Sequence, residues 1–399
     1  MSNPFEQSRK QFQLPEGVVY FDGNSLGPLP RAATRRLRET LEDEWGGLMI
    51  RAWNQAGWMD KPMRIGNRIG RLIGATEGSV TVGDTLSVKI YQALDGALAL
   101  RPERRVVLSD RGNFPSDLYM AEGLLKIKDA GYQLKLVDPE EIESAIDDSV
   151  AALLLTQVDY RTGRLHDLPG LTALAHRFGV PVVWDLAHSA GAVPIDLAGA
   201  DVDFAAGCTY KYLNGGPGSP AFIYVAPRLQ GSVQPALAGW LGHAEPFAFE
   251  LGYRPANGVE RMRVGTPPIL AMSVLEAALD IWDGISMEQV RAESIKLSEV
   301  FIKEVESGCS MLTLASPRNP VERGGQVSFR FEHSYAAIQA LIQGHQVIGD
   351  FRAPDIMRFA FPPLFLSQDD VKRGARAIVQ VMQNKEWDNP DFAKRAAVT

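Results

Sequence analysis

The chain has 399 residues, of which 45% are hydrophobic and 22% are charged, as is usual for a soluble globular protein. Its net charge of −7 comes without a run of Lys or Arg, which argues against nucleic-acid binding, and no stretch of eighteen apolar residues predicts a membrane helix. The N-terminus lacks the apolar core of a secretory signal, and the two cysteines, Cys208 and Cys309, form no CxxC motif. We therefore expect a cytoplasmic protein without a disulfide framework or a metal site.

In chain order, the region 80–230 alternates short apolar segments with segments of helical spacing. This alternation predicts a mostly parallel sheet that is covered by helices on both faces. The loop "NGGPGSP" is rich in turn residues and allows the last two strands to form a hairpin. The predicted strands are 104–110, 132–138, 151–159, 181–187, 204–210 and 221–226, and the predicted helices are 115–131 and 168–179.

A long helical segment at 268–285 precedes a change of pattern. Beyond about residue 290 the sequence predicts a small α+β domain, so that the length is divided between a large and a small domain. We expect an N-terminal segment, 1–50, packed on the small domain, a large α/β domain at 51–288, and the small C-terminal domain at 289–399. The small domain is predicted to contain strands at 311–316, 324–332 and 356–361 and helices near 335–343 and 368–384.

Polar residues follow three of the predicted strands in the large domain. Thr156 follows "AALLL", Asp185 follows "PVVW", and Tyr210 and Lys211 follow "FAAGC". Because ligands of open parallel sheets bind outside the carboxyl ends of the strands, these side chains are expected to lie around one site.

Lys211 and Asp185 suggest a particular chemistry. Most lysines in turns are surface residues, but an amine held at the edge of an apolar sheet is a usable nucleophile that can form a Schiff base. Pyridoxal phosphate requires such a lysine and a carboxylate beside its ring nitrogen. Asp185 lies 26 residues before Lys211, which is enough for one crossover to the neighbouring strand, although an Asp at this kind of turn is also a common helix N-cap.

The sequence around these residues resembles the cofactor region of kynureninases, which are fold-type I pyridoxal phosphate enzymes related to class V aminotransferases. The resemblance implies a fold-type I architecture, with a mostly parallel sheet of the seven-stranded type in the large domain. It extends over almost the whole chain and is carried by "DLAHSAGAVPIDL", "VDFAAGCTYKYLNGGPGSPAFIYV", "YFDGNSLG" (20–27), "NFPSDLY" (113–119), "TQVDYRTGRLHD" (156–167), "GTPPIL" (265–270) and "DIMRFAFPPLF" (355–365).

This resemblance implies roles for individual residues at the cofactor ring. Lys211 would form the internal aldimine and later move protons between the substrate Cα and the cofactor. Asp185 would pair with the pyridinium nitrogen, and His188 would lie beside the cofactor. Phe114 would stack on the ring, with Asp117 nearby. Without the resemblance, packing in the core stays an alternative role for Phe114.

The resemblance also implies how the cofactor phosphate is bound. The segment "GDTLSVKIYQAL" (83–94) reads as a loop that enters a helix, where free N–H groups favour an anion. Leu86 through its backbone, Ser87 through its hydroxyl, and Tyr210 match phosphate positions of the family. An N-cap role of Ser87 is compatible with this one. Further cofactor positions are matched by Thr156 and, reaching over from the partner subunit of a homodimer, by Trp240 and Thr266.

Substrate-binding positions are matched as well. Arg358 lies among apolar neighbours, where an unpaired guanidinium would be costly, and it matches the arginine that binds the substrate α-carboxylate. Arg352 is a nearby competitor that we expect to be more exposed. Trp53 and the pair Gly265–Thr266 match positions that shape the aryl pocket, in a combination typical of bacterial forms that prefer kynurenine to its 3-hydroxy analogue.

The implied reaction is hydrolysis of L-kynurenine, a step of tryptophan catabolism on the route to NAD, to anthranilate and L-alanine. It would pass through an external aldimine and a ketimine, followed by water addition to the γ-carbonyl and cleavage of the Cβ–Cγ bond. The sequence does not identify the group that activates the water. Activity towards 3-hydroxykynurenine is also compatible with the residues.

Four alternatives stay open. A cysteine desulfurase shares the fold, but it needs a thiol on a mobile loop, whereas both cysteines read as structural, and it typically has His before the lysine instead of Tyr. Lys and Asp alone do not exclude an aminotransferase. A non-catalytic regulator built on this fold would usually add a DNA-binding segment. A nicotinamide-dependent dehydrogenase would need GxGxxG, which "NGGPGSP" lacks.

Overall fold

The structure is a computed structural model that describes residues 4–395. Within this range the chain alternates strands with helices from about residue 80 to 230, as predicted. Short 3-10 turns connect several elements, and a π-helical segment spans Thr40–Leu48. The α-helices are α1 (Pro4–Arg9), α2 (Arg31–Glu39), α3 (Ala52–Gln55), α4 (Lys61–Leu72), α5 (Leu86–Ala99), α6 (Pro115–Lys128), α7 (Ile142–Ala145), α8 (Leu168–Arg177), α9 (Ile269–Leu279), α10 (Met287–Gly308), α11 (Ser334–His345) and α12 (Gln368–Gln383).

Seven strands form the large sheet, in the order β4-β10-β9-β8-β7-β5-β6. Neighbours from β9 to β6 pair in parallel, whereas β10 runs antiparallel to both β9 and β4. The predicted hairpin of the last two strands is therefore confirmed. The strands of this sheet are β4 (Val80–Val82), β5 (Val106–Asp110), β6 (Gln133–Val137), β7 (Val150–Thr156), β8 (Val182–Asp185), β9 (Phe204–Gly207) and β10 (Phe222–Val225).

The central strands β7 to β10 are buried along their whole length. This explains their continuous apolar sequences, because helices cover both faces of the sheet and leave no side for water. All six predicted strands are observed in the predicted order, and all but β5 end earlier than predicted, whereas the seventh strand of the sheet, β4, was not predicted. The residues beyond those ends, including 208–210, form turns at the edge of the sheet.

A second sheet of four strands has the order β11-β12-β15-β14 and is antiparallel throughout. Two helices of this part, α10 and α12, begin at capping boxes: Ser286 and Ser367 accept hydrogen bonds from the backbone N–H groups of Gln289 and Asp370, respectively. The observed α+β pattern matches the predicted one. The strands of this part are β11 (Thr313–Leu314), β12 (Gln326–Arg330), β13 (Val347–Ile348), β14 (Asp350–Arg352) and β15 (Ile356–Ala360).

The N-terminal segment contributes three short strands: β1 (Phe12–Gln13), β2 (Val19–Tyr20) and β3 (Leu29–Pro30). Strand β2 pairs in parallel with β13. Phe21 then packs its ring among those of Phe301, Phe359 and Phe361, at centroid distances of 5.3–5.8 Å. These contacts join the start of the chain to its last third. The predicted boundaries at residues 50 and 288 stay a prediction.

Among the helices of residues 4–395, none has both the length and the apolar character needed to span a membrane.

Candidate active site

The carboxyl ends of three adjacent strands carry the residues that the sequence singled out. Thr156 ends β7 and is paired in register with Asp185, which ends β8. Lys211 lies in the turn that follows β9, the next strand. The three side chains therefore converge on one edge of the sheet, as the strand-end argument predicted.

Lys211 is half-buried, and its amine has specific neighbours. Its Nζ lies 2.9 Å from Nε2 of His188. The same nitrogen is 5.9 Å from the ring centre of Phe114 and 5.8 Å from that of Tyr210. A lysine amine between two aromatic rings and an imidazole is held in place rather than left free in solvent.

Asp185 is buried and fixed by two donors. Its Oδ1 accepts a 2.8 Å hydrogen bond from the N–H of Ala187, and its Oδ2 accepts a 3.3 Å bond from the hydroxyl of Thr156. A second buried carboxyl group, Asp117 at the start of α6, interacts with it. The Oδ2 of Asp117 has no hydrogen-bond partner within residues 4–395.

Burial controls the ionisation of these groups. It raises the pKa of Asp117 well above its usual range, and the negative charge of Asp185 adds to the effect. Burial also raises the pKa of Asp185, against the opposing influence of the Lys211 ammonium and the Ala187 N–H. The pKa of His188 lies well below its usual value because of burial and then because of Lys211. Of the two carboxyl groups, Asp185 is therefore the one that carries the negative charge, and His188 is neutral.

An aromatic ring and a helix terminus form the other walls. Phe114 precedes α6, is 40% exposed, and packs edge-on against Tyr160 at 5.1 Å. Helix α5 begins at Leu86, and the side chain of its N-cap residue, Thr85, forms no capping bond. The hydroxyl of Ser87 lies 3.0 Å from that of Ser116. Free N–H groups and hydroxyls thus lie together, as an anion site requires.

Arg358 is buried and pairs with a carboxylate, which removes the cost of an isolated guanidinium. Its Nε donates to Asp350 at 3.0 Å, its Nη2 also bonds to Asp350, and its Nη1 donates to the Tyr160 carbonyl at 2.5 Å. Arg352 is more exposed, with 35% of its side chain accessible against 1% for Arg358. The predicted order of exposure is confirmed. Through Tyr160 and Phe114 this pair of arginines adjoins the Lys211 region.

Within residues 4–395, no hydrogen bond or ring contact joins four of the predicted residues to the Lys211 region. Trp53 packs edge-on against Trp58 at 5.6 Å. Trp240 is 44% exposed and contacts Phe247 at 5.8 Å. Gly265 and Thr266 are exposed in the segment before α9. A single chain leaves three of these four residues at its surface.

Several residues near the site were not singled out from the sequence. Ser116 and Tyr160 lie inside the quoted segments "NFPSDLY" and "TQVDYRTGRLHD", so a signal for them was present. Asp350 had no such signal, because β14, the strand that places it beside Arg358, was not predicted. Its pairing with an arginine eight residues away depends on strand register, which the residue pattern does not reveal.

Pyridoxal phosphate fits the residues that are present. The cofactor needs an amine, a carboxylate for its ring nitrogen, a surface for its ring and donors for its phosphate. Lys211, Asp185, the exposed ring of Phe114 and the N-terminus of α5 supply these in one place. The buried Oδ2 of Asp117 and Nδ1 of His188 have no partner within the described residues, as expected of polar atoms that face a ligand.

The two cysteines are buried. Burial raises the pKa of the Cys208 thiol, which disfavours the reactive thiolate. Neither has the exposure that a persulfide-forming thiol on a mobile loop requires. Within residues 4–395, no group of three or more His, Cys, Asp or Glu residues is arranged to hold a metal ion.

Comparison with solved structures gives the fold. A cysteine desulfurase from Thermococcus onnurineus superimposes with a TM-score of 0.79, at 19% identity over 95% of this chain and 98% of that one. The cysteine desulfurase CsdA from Escherichia coli superimposes with a TM-score of 0.80, at 18% identity over 96% of this chain and 99% of that one. A C-DES mutant with glycine covalently linked to its PLP cofactor superimposes with a TM-score of 0.78, at 17% identity over 93% of this chain and 98% of that one. These similarities confirm the predicted fold-type I architecture.

Comparison with sequences gives the family. The "Kynureninase C-terminal domain" profile matches residues 290–378, and the profile of the DegT/DnrJ/EryC1/StrS aminotransferase family matches residues 129–200. Kynureninase from Pseudomonas fluorescens is 48% identical over 98% of this chain and 95% of its own length. Kynureninase from Burkholderia pseudomallei strain 1106a is 46% identical over 100% of this chain and 97% of its own length. The chain belongs to the kynureninase family of pyridoxal phosphate enzymes.

Proposed function

We propose that the protein hydrolyses L-kynurenine to anthranilate and L-alanine, as a hydrolase of C–C bonds in ketonic substrates. The observation that carries this proposal is the position of the Lys211 amine, 2.9 Å from His188 at the sheet edge that holds the buried Asp185. This arrangement occurs in a chain that shares 48% of its residues with a kynureninase over nearly its full length.

The cofactor would be held by residues on several elements. Lys211 would attach it, Asp185 would bond to its ring nitrogen, and Phe114 would stack on its ring. The phosphate would lie at the N-terminus of α5, at the backbone of Leu86 and the hydroxyl of Ser87. His188, Asp117, Thr156 and Tyr210 would line the rest of the site. When bound, pyridoxal phosphate supplies an electron sink that stabilises negative charge on the substrate carbon atoms.

The chain's own residues would handle the protons. The Nζ of Lys211, once released by the substrate, accepts the Cα proton and later returns it. His188 stays neutral, because burial and Lys211 lower its pKa, so its Nε2 can accept a hydrogen bond from that amine. Burial raises the pKa of Tyr210, so its phenol keeps its proton and can donate it when the Cβ–Cγ bond breaks.

Recognition of the substrate would involve both of its ends. Arg358 would bind the α-carboxylate, with Arg352 beside it, because a guanidinium binds a carboxylate with two N–H groups. Trp53 and Gly265 would shape the pocket for the aryl ring. Binding the aryl ring and the carboxylate at once fixes the γ-carbonyl in position for attack by water.

The active enzyme would be a homodimer. Trp240 and Thr266 lie at the surface of a single chain, and they match positions that reach the cofactor phosphate of the partner subunit. Two chains would therefore complete each other's site. A cytoplasmic location and a place in tryptophan catabolism towards NAD belong to the same proposal.

The proposal is tested by incubating the cofactor-loaded protein with L-kynurenine and following anthranilate by its fluorescence and alanine by amino-acid analysis. Wild-type protein should form both products in equal amounts, and Lys211→Ala should form neither. 3-Hydroxykynurenine, tested in parallel, should be the poorer substrate if the Trp53–Gly265 pocket is as predicted.

Other outcomes would exclude the proposal. A loaded protein that forms no anthranilate, but transfers the amino group of its substrate to a keto acid, would be an aminotransferase. Release of sulfide from cysteine would indicate a desulfurase. A protein that cannot be loaded with pyridoxal phosphate would remove the cofactor assignment itself.

A further inference from the structure

Two carboxyl groups and two guanidinium groups lie together beside the candidate site, and we call Asp22, Asp350, Arg352 and Arg358 the carboxylate-binding cluster. Asp350 is at its centre. Its carboxyl oxygens accept hydrogen bonds from Arg358 Nε at 3.0 Å, from Arg352 Nη2 at 2.7 Å and from the Ser25 hydroxyl at 2.8 Å, in addition to the bond from Arg358 Nη2. Four donors thus stabilise the charge on this one carboxylate.

Asp22 has a very different environment. Its carboxyl group faces that of Asp350, and its Oδ1 is buried without a hydrogen-bond partner within residues 4–395. Two carboxylates in contact cannot both keep a charge at low cost. Because Asp350 has four donors and the Oδ1 of Asp22 has none, the proton belongs to Asp22.

The ionisation of the two groups follows this asymmetry. Burial, and then the charge of Asp350, raise the pKa of Asp22 to about 7. Burial also acts to raise the pKa of Asp350, but the Arg358 and Arg352 guanidiniums outweigh it and hold that pKa below its usual value. Asp22 therefore changes its charge near neutral pH.

The other titratable groups around the cluster do not change their charge in this range. Tyr20 faces Asp22 and Asp350 from strand β2, Tyr212 faces Asp22 and Arg358 from the turn after Lys211, and Tyr160 faces both arginines. His188 also lies near both arginines, and burial holds its pKa well below its usual value, so it stays neutral. Burial raises the pKa of all three phenols, which keeps them neutral. The charge of the cluster is therefore set by two arginines, Asp350 and the state of Asp22.

With Asp22 protonated the cluster has one excess positive charge, and with Asp22 ionised it has none. Arg352 keeps one unused donor, since its Nε is buried and has no hydrogen-bond partner in the described chain. A bound carboxylate would neutralise the excess charge. An ionised Asp22 would repel that carboxylate and compete for the same guanidiniums.

We propose that Asp22 is a positioning residue for substrate recognition, whose carboxyl group must carry a proton for the cluster to bind the α-carboxylate of the amino acid. The inference rests on the proposed function through the role of Arg358. Binding a carboxylate above neutral pH would take up one proton from solution. By linkage, carboxylate binding and protonation of Asp22 strengthen each other by the same factor.

The test compares the KM for L-kynurenine of the loaded wild-type enzyme and Asp22→Asn between pH 6 and 9. The wild-type KM should rise by roughly 5-fold or more above pH 7, the lower end of ordinary coupling between sites, while kcat changes less. Asparagine has the shape of the protonated acid and cannot ionise, so the KM of Asp22→Asn should lack this rise. Asp355→Asn, which alters a carboxyl group outside the cluster, should keep the wild-type profile.

Kynuramine, which is L-kynurenine without its carboxylate, gives a second measurement that does not need the variant to fold. As an inhibitor of the wild type it shares the amine and aryl groups of the substrate, so effects of their titration cancel. Its inhibition constant should lack the rise that the KM for kynurenine shows above pH 7. Equal pH profiles for the two compounds, or an unchanged rise in Asp22→Asn, would overturn the inference. Absence of anthranilate from the wild type at every pH would instead contradict the proposed function.

Discussion

A buried aspartate is useful to a pyridine ring only if it is ionised when the ring is bound. Asp185 meets this condition through its two donors, the N–H of Ala187 and the hydroxyl of Thr156, and through the nearby Lys211. Burial and the charge of Asp185 raise the pKa of Asp117 well above its usual range in spite of Lys211, and one of its oxygens has no hydrogen-bond partner within residues 4–395. The two carboxyl groups therefore have different roles, with Asp185 as the charged one and Asp117 as the one that keeps a proton.

Asp185→Asn tests this assignment with almost no change in shape. Asparagine cannot balance a positive charge on the ring nitrogen, so we expect kcat to fall by about 100-fold or more, as for other preorganised electrostatic contacts. Cofactor affinity, measured by equilibrium dialysis, should fall as well. The matched control Asp148→Asn changes an exposed carboxyl group far from the sheet edge and should leave both values unchanged. Normal kcat in Asp185→Asn would contradict the assignment.

At the scale of elements, the turn that carries Lys211 is held by the N-terminal segment. The N–H of Gly27 donates to the carbonyl of Tyr210 at 2.8 Å. A Cβ at position 27 would lie 2.5 Å from the Lys211 carbonyl oxygen and 2.7 Å from the Cα of Asn214. Only a glycine lets the two backbones approach so closely. The segment "YFDGNSLG" thus holds the Lys211 turn in position, in addition to supplying Asp22.

Gly27→Ala should therefore move the Lys211 turn. We expect the melting temperature to fall, in line with about 1–3 kcal/mol for overpacking, and kcat to fall about tenfold or more because the amine is displaced. Gly123→Ala is the matched control: this glycine lies exposed in α6 with open space around it. That change should stabilise the protein by about 0.5–1 kcal/mol and leave kcat unaltered. Equal effects of the two substitutions would show that the close approach at Gly27 is unimportant.

The sequence could predict the central strands because β7 to β10 are buried on both faces and therefore read as continuous apolar runs. The positions of Thr156, Asp185 and Lys211 then followed from the strand ends. The pairing of Arg358 with Asp350 and Tyr160 could not be predicted in the same way. It depends on the register of β14 against β15 and on a contact between residues 198 positions apart. Such contacts are set by packing between the two sheets, and no local pattern encodes them.

At the scale of the whole molecule, the surface around Trp240 is unusual. Phe247 and Phe249 are exposed by 61% and 77%, and Leu251 is fully exposed. Monomeric proteins rarely leave several large apolar side chains together in water, and such patches mark interaction sites. Because Thr266 is exposed in the same part of the chain, a second copy is the natural partner, and the patch supports the proposed homodimer.

If each active site contains residues of both chains, two defective variants should restore activity when they are combined in one dimer. Trp240→Ala alone should reduce activity at least tenfold, and Lys211→Ala should abolish it. In a hybrid dimer of the two variants, one site receives both changes, and the other combines an intact Lys211 with an intact Trp240. Co-expression with two different affinity tags should therefore restore about a quarter of wild-type activity, since half of randomly paired dimers are hybrids with one intact site each.

Purifying the hybrids through both tags should raise the activity to about half that of the wild type, because every dimer then has one intact site. The number of sites can be counted independently by titrating bound cofactor. Hybrids that are no more active than Trp240→Ala homodimers would mean that Trp240 serves the site of its own chain. The apolar patch would then need another explanation, whereas the assignment of Lys211 and Asp185 would be unaffected, since both lie on one sheet edge of a single protomer.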